Sequence, residues 1–558
     1  MIEQRLAAML LEAVRLSGLQ HSLETMDIEP EILRPRQKEH GDFASNIALV
    51  LAARLGRPPR EVAEAILGAL PVGGDVIEDA AVAGPGFLNM FVRDDWLHEA
   101  LRQAVARGED YGRQPADGRT VQVEFVSANP TGPLTLGHAR NAVIGDALAR
   151  LFSFAGWSVE REYYFNDAGG QMDRFGASVE ARYLQAAARE AEVPEDGYHG
   201  TYIAELAADI LAAEGPGLAD LAPGERFLRL REEGARRVLE WIRASLERFG
   251  VSFDVFFHER FLAERGEIAA AIERLREGGH VFDDDGAVWF RATAFGDDKD
   301  RVLIRSDGTH TYFAADCAYI LDKFGRGFDR LVYVLGADHH GNVARLKGAA
   351  AALGHDPEAM EIVIYQWVSF QRGGVPVPMS KRAGTFITLD ELIDEVGVDA
   401  ARFTLLTHSN DSTMSFDIEA VKRQSMDNPV YYVQYGHARL ASILRRAELE
   451  GVQRRPIEEA DLSLLDQEAE LDLLRAIAEL PGEIAAAAEL RAAHRIAHAA
   501  QELASRVHRF YTDCRVVSDD EALTQARLWL SVGAKQALAV LLTLLGVGAP
   551  AEMERSDA

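Results

Sequence analysis

Residues 121–146, VQVEFVSANPTGPLTLGHARNAVIGD, constrain the fold more than any other stretch of the chain. Val121-Gln122-Val123-Glu124-Phe125-Val126 is rich in strand-favouring residues. The breaker-rich run Ser127-Ala128-Asn129-Pro130-Thr131-Gly132-Pro133 follows. From Leu136-Gly137-His138 the pattern becomes apolar and periodic through Ala142, Val143, Ile144 and Leu151. The expectation is a strand, a loop and a helix. Gly137 lets a ligand approach the backbone, and the first turn of the helix has free N–H groups for an anion. His138 adds a side-chain donor beside them. Such a unit suits a nucleotide phosphate, although many strand–loop–helix units bind nothing.

A second segment lies roughly 240 residues downstream: Pro378-Met379-Ser380-Lys381-Arg382-Ala383-Gly384. It is small, polar, closed by glycine, and carries a lysine. Together, Thr135-Leu136-Gly137-His138 and Pro378-Met379-Ser380-Lys381-Arg382 resemble the two signature loops of class I aminoacyl-tRNA synthetases. The flanks narrow the resemblance to the arginyl-tRNA synthetase family. Ser127-Ala128-Asn129-Pro130, Asn166-Asp167-Ala168-Gly169 and Gly336-Ala337-Asp338-His339-His340-Gly341 are similar to its motifs. So are Gly41-Asp42-Phe43-Ala44-Ser45-Asn46, Gly84-Pro85-Gly86-Phe87-Leu88-Asn89 and the run from Asp427 to Arg439. The matches run in order over almost the whole chain.

At 558 residues the chain exceeds one core, and three or four domains are expected. A hydrophobic content of 48% and a charged content of 26% are those of a globular protein. The two cysteines, Cys317 and Cys514, form no CxxC pair, so a thiolate zinc site is not expected. No segment is expected to supply the roughly 18–20 apolar residues that span a bilayer; residues 537–545 read as a core helix. Ile2, Leu6, Met9, Leu10 and Ala13 have amphipathic helical spacing rather than that of a signal peptide. The expected location is cytoplasmic. The net charge of −29 argues against a generally basic nucleic-acid binder. Net charge describes the long-range field, however, and not the local contact surface. Lys422-Arg423, Arg439, Arg445-Arg446 and residues 506–515 provide basic clusters that otherwise read as solvated helix faces.

The expected fold is multidomain α/β. Residues 1–112 alternate helical and strand-like runs, with Ile47 to Leu51 helical and Phe87 to Val92 a strand. Residues 113–420 have the strand–helix alternation of a Rossmann-like parallel sheet, with strands near 121–126, 159–164, 331–335 and 362–365. A helix-rich insertion is expected at about 175–300. Residues 421–558 read as a helical bundle. The resemblance makes the first part a tRNA-contacting domain, the second the catalytic domain and the third the anticodon-binding domain.

Amino-acid activation joins a carboxylate to the α-phosphate of ATP and expels diphosphate, so the protein's task is to stabilise charge. The resemblance implies catalytic roles for His138 and Lys381, with Thr135, Gly137, His138, Ser380 and Lys381 around ATP. Two positions depart from the family pattern: Thr135 stands where its first loop has histidine, and Pro378 where its second has lysine. Threonine still offers a hydroxyl; proline offers no side-chain donor.

Arginine specificity requires acceptors for a planar guanidinium. Tyr312 and Asp316, four apart, would share one helix face. They otherwise read as a half-buried core residue, Tyr312, and a cap or surface ion pair, Asp316. The resemblance places both at the guanidinium with Glu259, and places Ser127, Asn129 and Asp338 at the α-amino group with Glu124 supporting them. It places Phe87 and Asn89 on the tRNA corner, and Tyr435, Arg439 and Met553 around an anticodon base. Phe87 reads equally as core and Asn89 as a turn residue. Adjacent histidines on a strand face opposite ways, and no carboxylate spacing completes a metal motif around His339-His340, so no protein metal site is expected. The implied partners are ATP with Mg²⁺ as substrate, L-arginine and tRNA(Arg), with no DNA, no membrane and a monomeric state. Another nucleotidyltransferase of the superfamily and a non-catalytic RNA-binding relative remain alternatives.

Overall fold

The computed structural model describes residues 2–19, 28–35, 37–377 and 386–553. It divides into two compact units. One comprises residues 1–111, 443–482 and 506–537; the other comprises 112–442, 483–505 and 538–558.

The first unit holds a four-stranded antiparallel sheet in the order Ile32–Leu33, Phe43–Ser45, Phe87–Val92, Ile77–Ala83. Along Phe87–Val92, Leu88, Met90 and Val92 enter a core shared with Leu6, Leu10, Ile47, Leu51, Val62 and Ile66. The strand's period of two turns Phe87 and Asn89 to the opposite face. Asn89 is therefore a buried strand residue rather than a turn residue, and Phe87 is half-buried. The helices Ile2–Val14 and Ile47–Leu55 form where their periodicity predicts.

The second unit is organised by a five-stranded parallel sheet. Its spatial order is Met360–Tyr365, Arg330–Gly336, Thr120–Glu124, Ser158–Phe165, Val255–His258. The chain starts in the middle, at Thr120–Glu124, and builds outward through Ser158–Phe165 and Val255–His258. It then returns to the other side of the first strand. The crevice beyond the carboxyl ends of Thr120–Glu124 and Arg330–Gly336 is the point where strand order reverses, the usual ligand position in such sheets. The stretch expected to be a helix-rich insertion carries the long helices Gly170–Ala186, Thr201–Glu214 and Pro223–Arg248. It also carries the fifth strand of the central sheet and most of a small antiparallel sheet, Val281–Asp284, Ala287–Phe290 and Arg301–Ile304.

The helix Leu136–Phe154 packs so close to the sheet that a β-carbon on Gly145 would lie 2.1 Å from the Phe125 ring. On the other sheet face lies the helix Tyr312–Gly325, started by Thr311, whose hydroxyl accepts the Ala314 N–H. Contrary to the expectation from sequence, the C-terminal helix Glu521–Leu545 is, by length and composition, apolar enough to cross a membrane. Its most apolar window is 72% buried within the protein, as in a core helix.

Candidate active site

The last residues of the central strand and the loop after it form one wall. Val126 and Ser127 have φ of 65° and 38°, in the left-handed region that non-glycine residues avoid. Neighbouring side chains hold this turn. The Val126 N–H donates to Oδ1 of buried Asn141 at 2.6 Å, and the Asn141 amide donates to the Val334 carbonyl at 2.9 Å. The Ser127 hydroxyl donates to Glu124 at 3.0 Å and accepts the Tyr164 N–H at 3.1 Å. The Tyr163 hydroxyl closes on the Ala128 carbonyl at 2.8 Å. The turn leaves Ser127 half-buried and Asn129 exposed at the carboxyl edge.

Next comes the helix Leu136–Phe154. The Thr135 backbone N–H donates to Nδ1 of His138 at 3.0 Å. A backbone N–H can only donate, so Nδ1 is unprotonated and the ring proton sits on Nε2. This makes His138 a neutral N–H donor at a helix N-terminus, a position suited to an anion. Thr135 is buried, and its hydroxyl is 3.2 Å from the same Nδ1. Thr135 thus orients His138 as well as starting the helix.

Ser380 and Lys381 lie outside the described residues, but the segment that follows them is placed. Thr388 bridges Thr135, the Leu136 N–H donates to the Ile387 carbonyl at 3.2 Å, and the Leu389 N–H donates to the Leu134 carbonyl at 2.9 Å. The chain leaving the second signature loop is therefore stitched to the chain entering the first. Thr388 and Glu391 then cap the helix Leu389–Val396 reciprocally.

The opposite wall is acidic. Tyr312 opens the helix Tyr312–Gly325 and is 59% exposed, not half-buried core; Asp316, one turn on, is half-buried. A β-carbon on Gly169 would lie 3.0 Å from the Tyr312 hydroxyl, so the Asn166–Gly169 loop flanks this tyrosine. Asp316 makes no hydrogen bond and no ion pair with another described residue, although the charge of Arg345 acts on it. Glu259, at the end of the fifth strand, is buried, and its Oε2 has no hydrogen-bond partner among the described residues. Asp167 fixes this corner: it pairs with His258 at 2.7 Å and Arg260 at 3.0 Å, on either side of Glu259.

Burial pushes Glu259 up to about 7, with Asp316 and Asp167 adding repulsion and a hydrogen bond from Tyr164 opposing. Burial likewise pushes Asp316 up to about 6, while Arg345 pulls it down and Glu124 pushes it further up. Asp316 ionises first, so its charge opposes ionisation of Glu259 rather than the reverse. Burial raises the Tyr164 phenol too, with Glu259, Asp316, Glu124 and Asp167 all acting on it. Two under-compensated carboxylates beside a tyrosine form a receptacle for a cation with several N–H donors.

Three residues of the site, Tyr164, Asn141 and Asp167, do not stand out in the sequence as parts of it. Asp167 lies within the Asn166–Gly169 motif without a role of its own; Tyr164 is one half-buried aromatic residue in a strand of mixed burial, with no signal of its own. The histidine doublet lies on the short 3₁₀ turn Ala337–Asn342, not on a strand, because the strand ends at Gly336. Asp338 is exposed and turns back over Gly336, where a β-carbon would lie 2.6 Å from its Oδ1. Among the described residues no group of three His, Cys, Asp or Glu side chains could hold a metal.

In the same unit, the helix Pro429–Leu449 aligns Tyr431 and Tyr435 with rings stacked 5.9 Å apart and 7° from parallel, and places the Arg439 guanidinium 4.7 Å from the Tyr435 ring. The C-terminal tail runs along this helix: Gln434 donates to the Gly548 carbonyl at 2.9 Å and His437 meets the Pro550 carbonyl at 2.8 Å. Met553 thereby lines a cavity of about 540 Å³ with Tyr431, Gln434, Asp399, Lys422 and Arg423. Tyr435 and Arg439 are not among its lining residues.

Comparison with known proteins agrees with this arrangement. Residues 1–92 match the arginyl tRNA synthetase N terminal domain. Residues 100–440 match the class I (R) tRNA synthetase catalytic domain, and 433–553 the DALR anticodon binding domain. The arginine–tRNA ligase of Frankia alni is 52% identical over 526 residues, 93% of this chain and 94% of that one. That of Heliobacterium modesticaldum is 46% identical over 558 residues, 99% of each. The arginyl-tRNA synthetase of Thermus thermophilus, 24% identical, superposes with a TM-score of 0.77 over 99% of this chain and all of that one, which establishes the shared fold. With family models along almost its whole length and relatives this similar, the chain belongs to the arginyl-tRNA synthetase family of class I aminoacyl-tRNA synthetases.

Proposed function

We propose that the carboxyl-edge crevice carries out arginine–tRNA ligation: ATP and L-arginine give arginyl-adenylate and diphosphate, and the arginyl group then passes to tRNA(Arg), releasing AMP. The observation that carries the arginine assignment is the pair Glu259 and Asp316, two carboxylates held up by burial, one with an orphaned oxygen, beside Tyr312. A guanidinium would satisfy them with directed N–H donors, and lysine's compact ammonium would do so less completely. Ser127 and Asn129, with Asp338 across the crevice, would take the α-amino group, and Glu124 supports Ser127.

In the first half-reaction the arginine carboxylate attacks the α-phosphorus, forming a C–O–P link as the α–β bridging bond breaks and the electron pair leaves with diphosphate. His138 Nε2–H, with the backbone around Gly137 at the helix N-terminus, would stabilise one side of the phosphates. Lys381 and Ser380 would meet the other side as charge accumulates, so their effect falls mainly on rate. ATP would bring Mg²⁺, held largely by phosphate oxygens and water. Phe87 and Asn89 are assigned to the tRNA corner, and Tyr435, Arg439 and Met553 to an anticodon base. The Tyr431–Tyr435–Arg439 stack supports the latter assignment, since unpaired bases stack on aromatic and guanidinium planes.

Arginine-dependent ATP–diphosphate exchange, with and without tRNA(Arg), tests the reading. Exchange is expected to require arginine and tRNA. Equal exchange with lysine, or none under any condition, would overturn it.

A further inference from the structure

Beneath the crevice lies a buried charged layer that the reaction does not touch. In parallel pairing, residues opposite one another point to the same face of the sheet. Glu124 is paired with Glu162 on one side and Tyr333 on the other, so all three face the helix Tyr312–Gly325. Tyr164, two residues beyond Glu162, shares that face. The helix answers with Lys323, wholly buried. Its ammonium bonds Glu124, lies 3.8 Å from Glu162, and sits 4.4 Å and 3.9 Å from the centres of the Tyr319 and Tyr333 rings. Glu162 has other partners in Arg326 and the Tyr319 hydroxyl. For Glu124, Lys323 is the only cation within ion-pair reach among the described residues.

Lys323 thus belongs to a chain of contacts. Its ammonium holds the Glu124 carboxylate, that carboxylate accepts the Ser127 hydroxyl, and Ser127 is fixed at φ 38° beside Val126 at φ 65°. The helix that carries Lys323 also carries Tyr312 and Asp316. One rigid helix therefore presents the guanidinium-facing residues at its start and, two to three turns later, the cation that anchors the α-amino-facing turn.

We infer that Lys323 is a positioning residue for arginine: acting through Glu124, it fixes the Ser127 turn relative to the Tyr312–Asp316 face, and so sets the distance between the two ends of the amino acid that the site accepts. A buried carboxylate without its counter-ion either takes a proton or draws in water, and in both cases the acceptor of the Ser127 hydroxyl is no longer held in place. Lys323 is wholly buried and offers no surface to a ligand, so its loss should appear in arginine binding, through Glu124, and not in ATP binding.

The inference rests on the assignment of this crevice to arginine, and a double-mutant cycle on the full chain separates the two. Calorimetry would give arginine and ATP affinities for Lys323→Met, Glu124→Gln, the double variant and Asp316→Asn. Lys323→Met is expected to weaken arginine at least tenfold and to change ATP less than twofold. Because Lys323 acts through the charge on Glu124, the double variant should bind arginine as Glu124→Gln does. Lys323→Met having the same effect in both backgrounds, or weakening arginine and ATP alike, would overturn the positioning role. If Lys323→Met does not fold, the comparison of Glu124→Gln with the double variant still decides, since any further loss of arginine affinity refutes the route through Glu124. If Asp316→Asn also leaves arginine affinity unchanged, the arginine assignment itself has failed.

Discussion

Arginine binding to this site should release a proton, with Glu259 as its main source. Burial holds Glu259 at about 7 and Asp316 at about 6, so near neutral pH the empty pocket is partly protonated. A guanidinium binds the ionised carboxylates, and each must lose its proton first. If both must be ionised, going from pH 8 to pH 6 weakens arginine about tenfold through Glu259 and about twofold through Asp316, roughly twentyfold together. Calorimetry at pH 7 in buffers of different ionisation enthalpy should show about 0.6 proton released per arginine bound. Glu259→Gln should remove most of the slope and leave the roughly twofold part from Asp316.

The same variant makes a stability claim whose sign is fixed. The folded chain keeps the Glu259 proton up to about pH 7, whereas the unfolded chain loses it near 4.5. Between those values the folded state binds more protons, so this group lowers stability as pH rises, with the full loss reached above pH 7. The rise from 4.5 to about 7 corresponds to about 3 kcal/mol at most. Glu259→Gln should therefore raise the apo melting temperature relative to the parent at pH 8 and not at pH 4.5. Arginine affinity that is flat from pH 6 to 8, or a slope that keeps its full size in Glu259→Gln, would refute the reasoning.

Lys381→Ala should raise the activation barrier by about 2–4 kcal/mol with little change in ATP affinity, as single-turnover kinetics would show; equal losses in both would remove it from the transition state. Asn141→Leu strips the Val126 N–H and the Val334 carbonyl of their partner, and should cost about 1–3 kcal/mol in chemical denaturation. Tyr435→Ala should weaken tRNA by about 1–3 kcal/mol in a filter-binding assay while leaving ATP and arginine affinities unchanged. Loss of helicity on that substitution would instead mark Tyr435 as part of the helix packing.

What is legible in the sequence follows from short-range pattern. The strands Thr120–Glu124, Ser158–Phe165, Arg330–Gly336 and Met360–Tyr365 stand within a few residues of where apolar runs predict them. Tyr312 and Asp316 share a helix because four-residue spacing is a local property. The fifth strand, Val255–His258, has only four residues inside a helix-rich stretch, too few for a periodicity to register. The histidine doublet stands on a turn beyond Gly336, where the pairing of the strand Arg330–Gly336 ends, one residue past the end of the apolar run. The partners of Glu124 lie beyond any spacing rule, since Lys323 is 199 residues away and meets it only once helix and sheet are packed. The long apolar helix near the C-terminus shows the same limit in reverse: composition allows a membrane span, and burial decides for a core helix.

The strained turn shows why local rules fail where the chemistry is. Positive φ at two successive positions would predict glycine or asparagine, yet the chain has Val126 and Ser127. Each left-handed non-glycine residue costs about 1–3 kcal/mol, and a β-branched one is the less favourable. Glycine would relieve that strain but would supply no hydroxyl for Glu124 to hold. It would also widen the range of conformations open to the loop before folding. The turn persists because Asn141, Glu124, Tyr163 and the Tyr164 N–H over-determine it from two strands and a helix. The acidic pair opposite follows the same logic, since Glu259 and Asp316 oppose folding through burial, which the charge of Arg345 offsets only in part at Asp316. A turn that cannot relax and two buried carboxylates that are only partly compensated are both unfavourable in the empty protein. Both costs would be offset by a ligand that carries two cationic ends at the right separation, a differential expected to favour arginine over a shorter competitor.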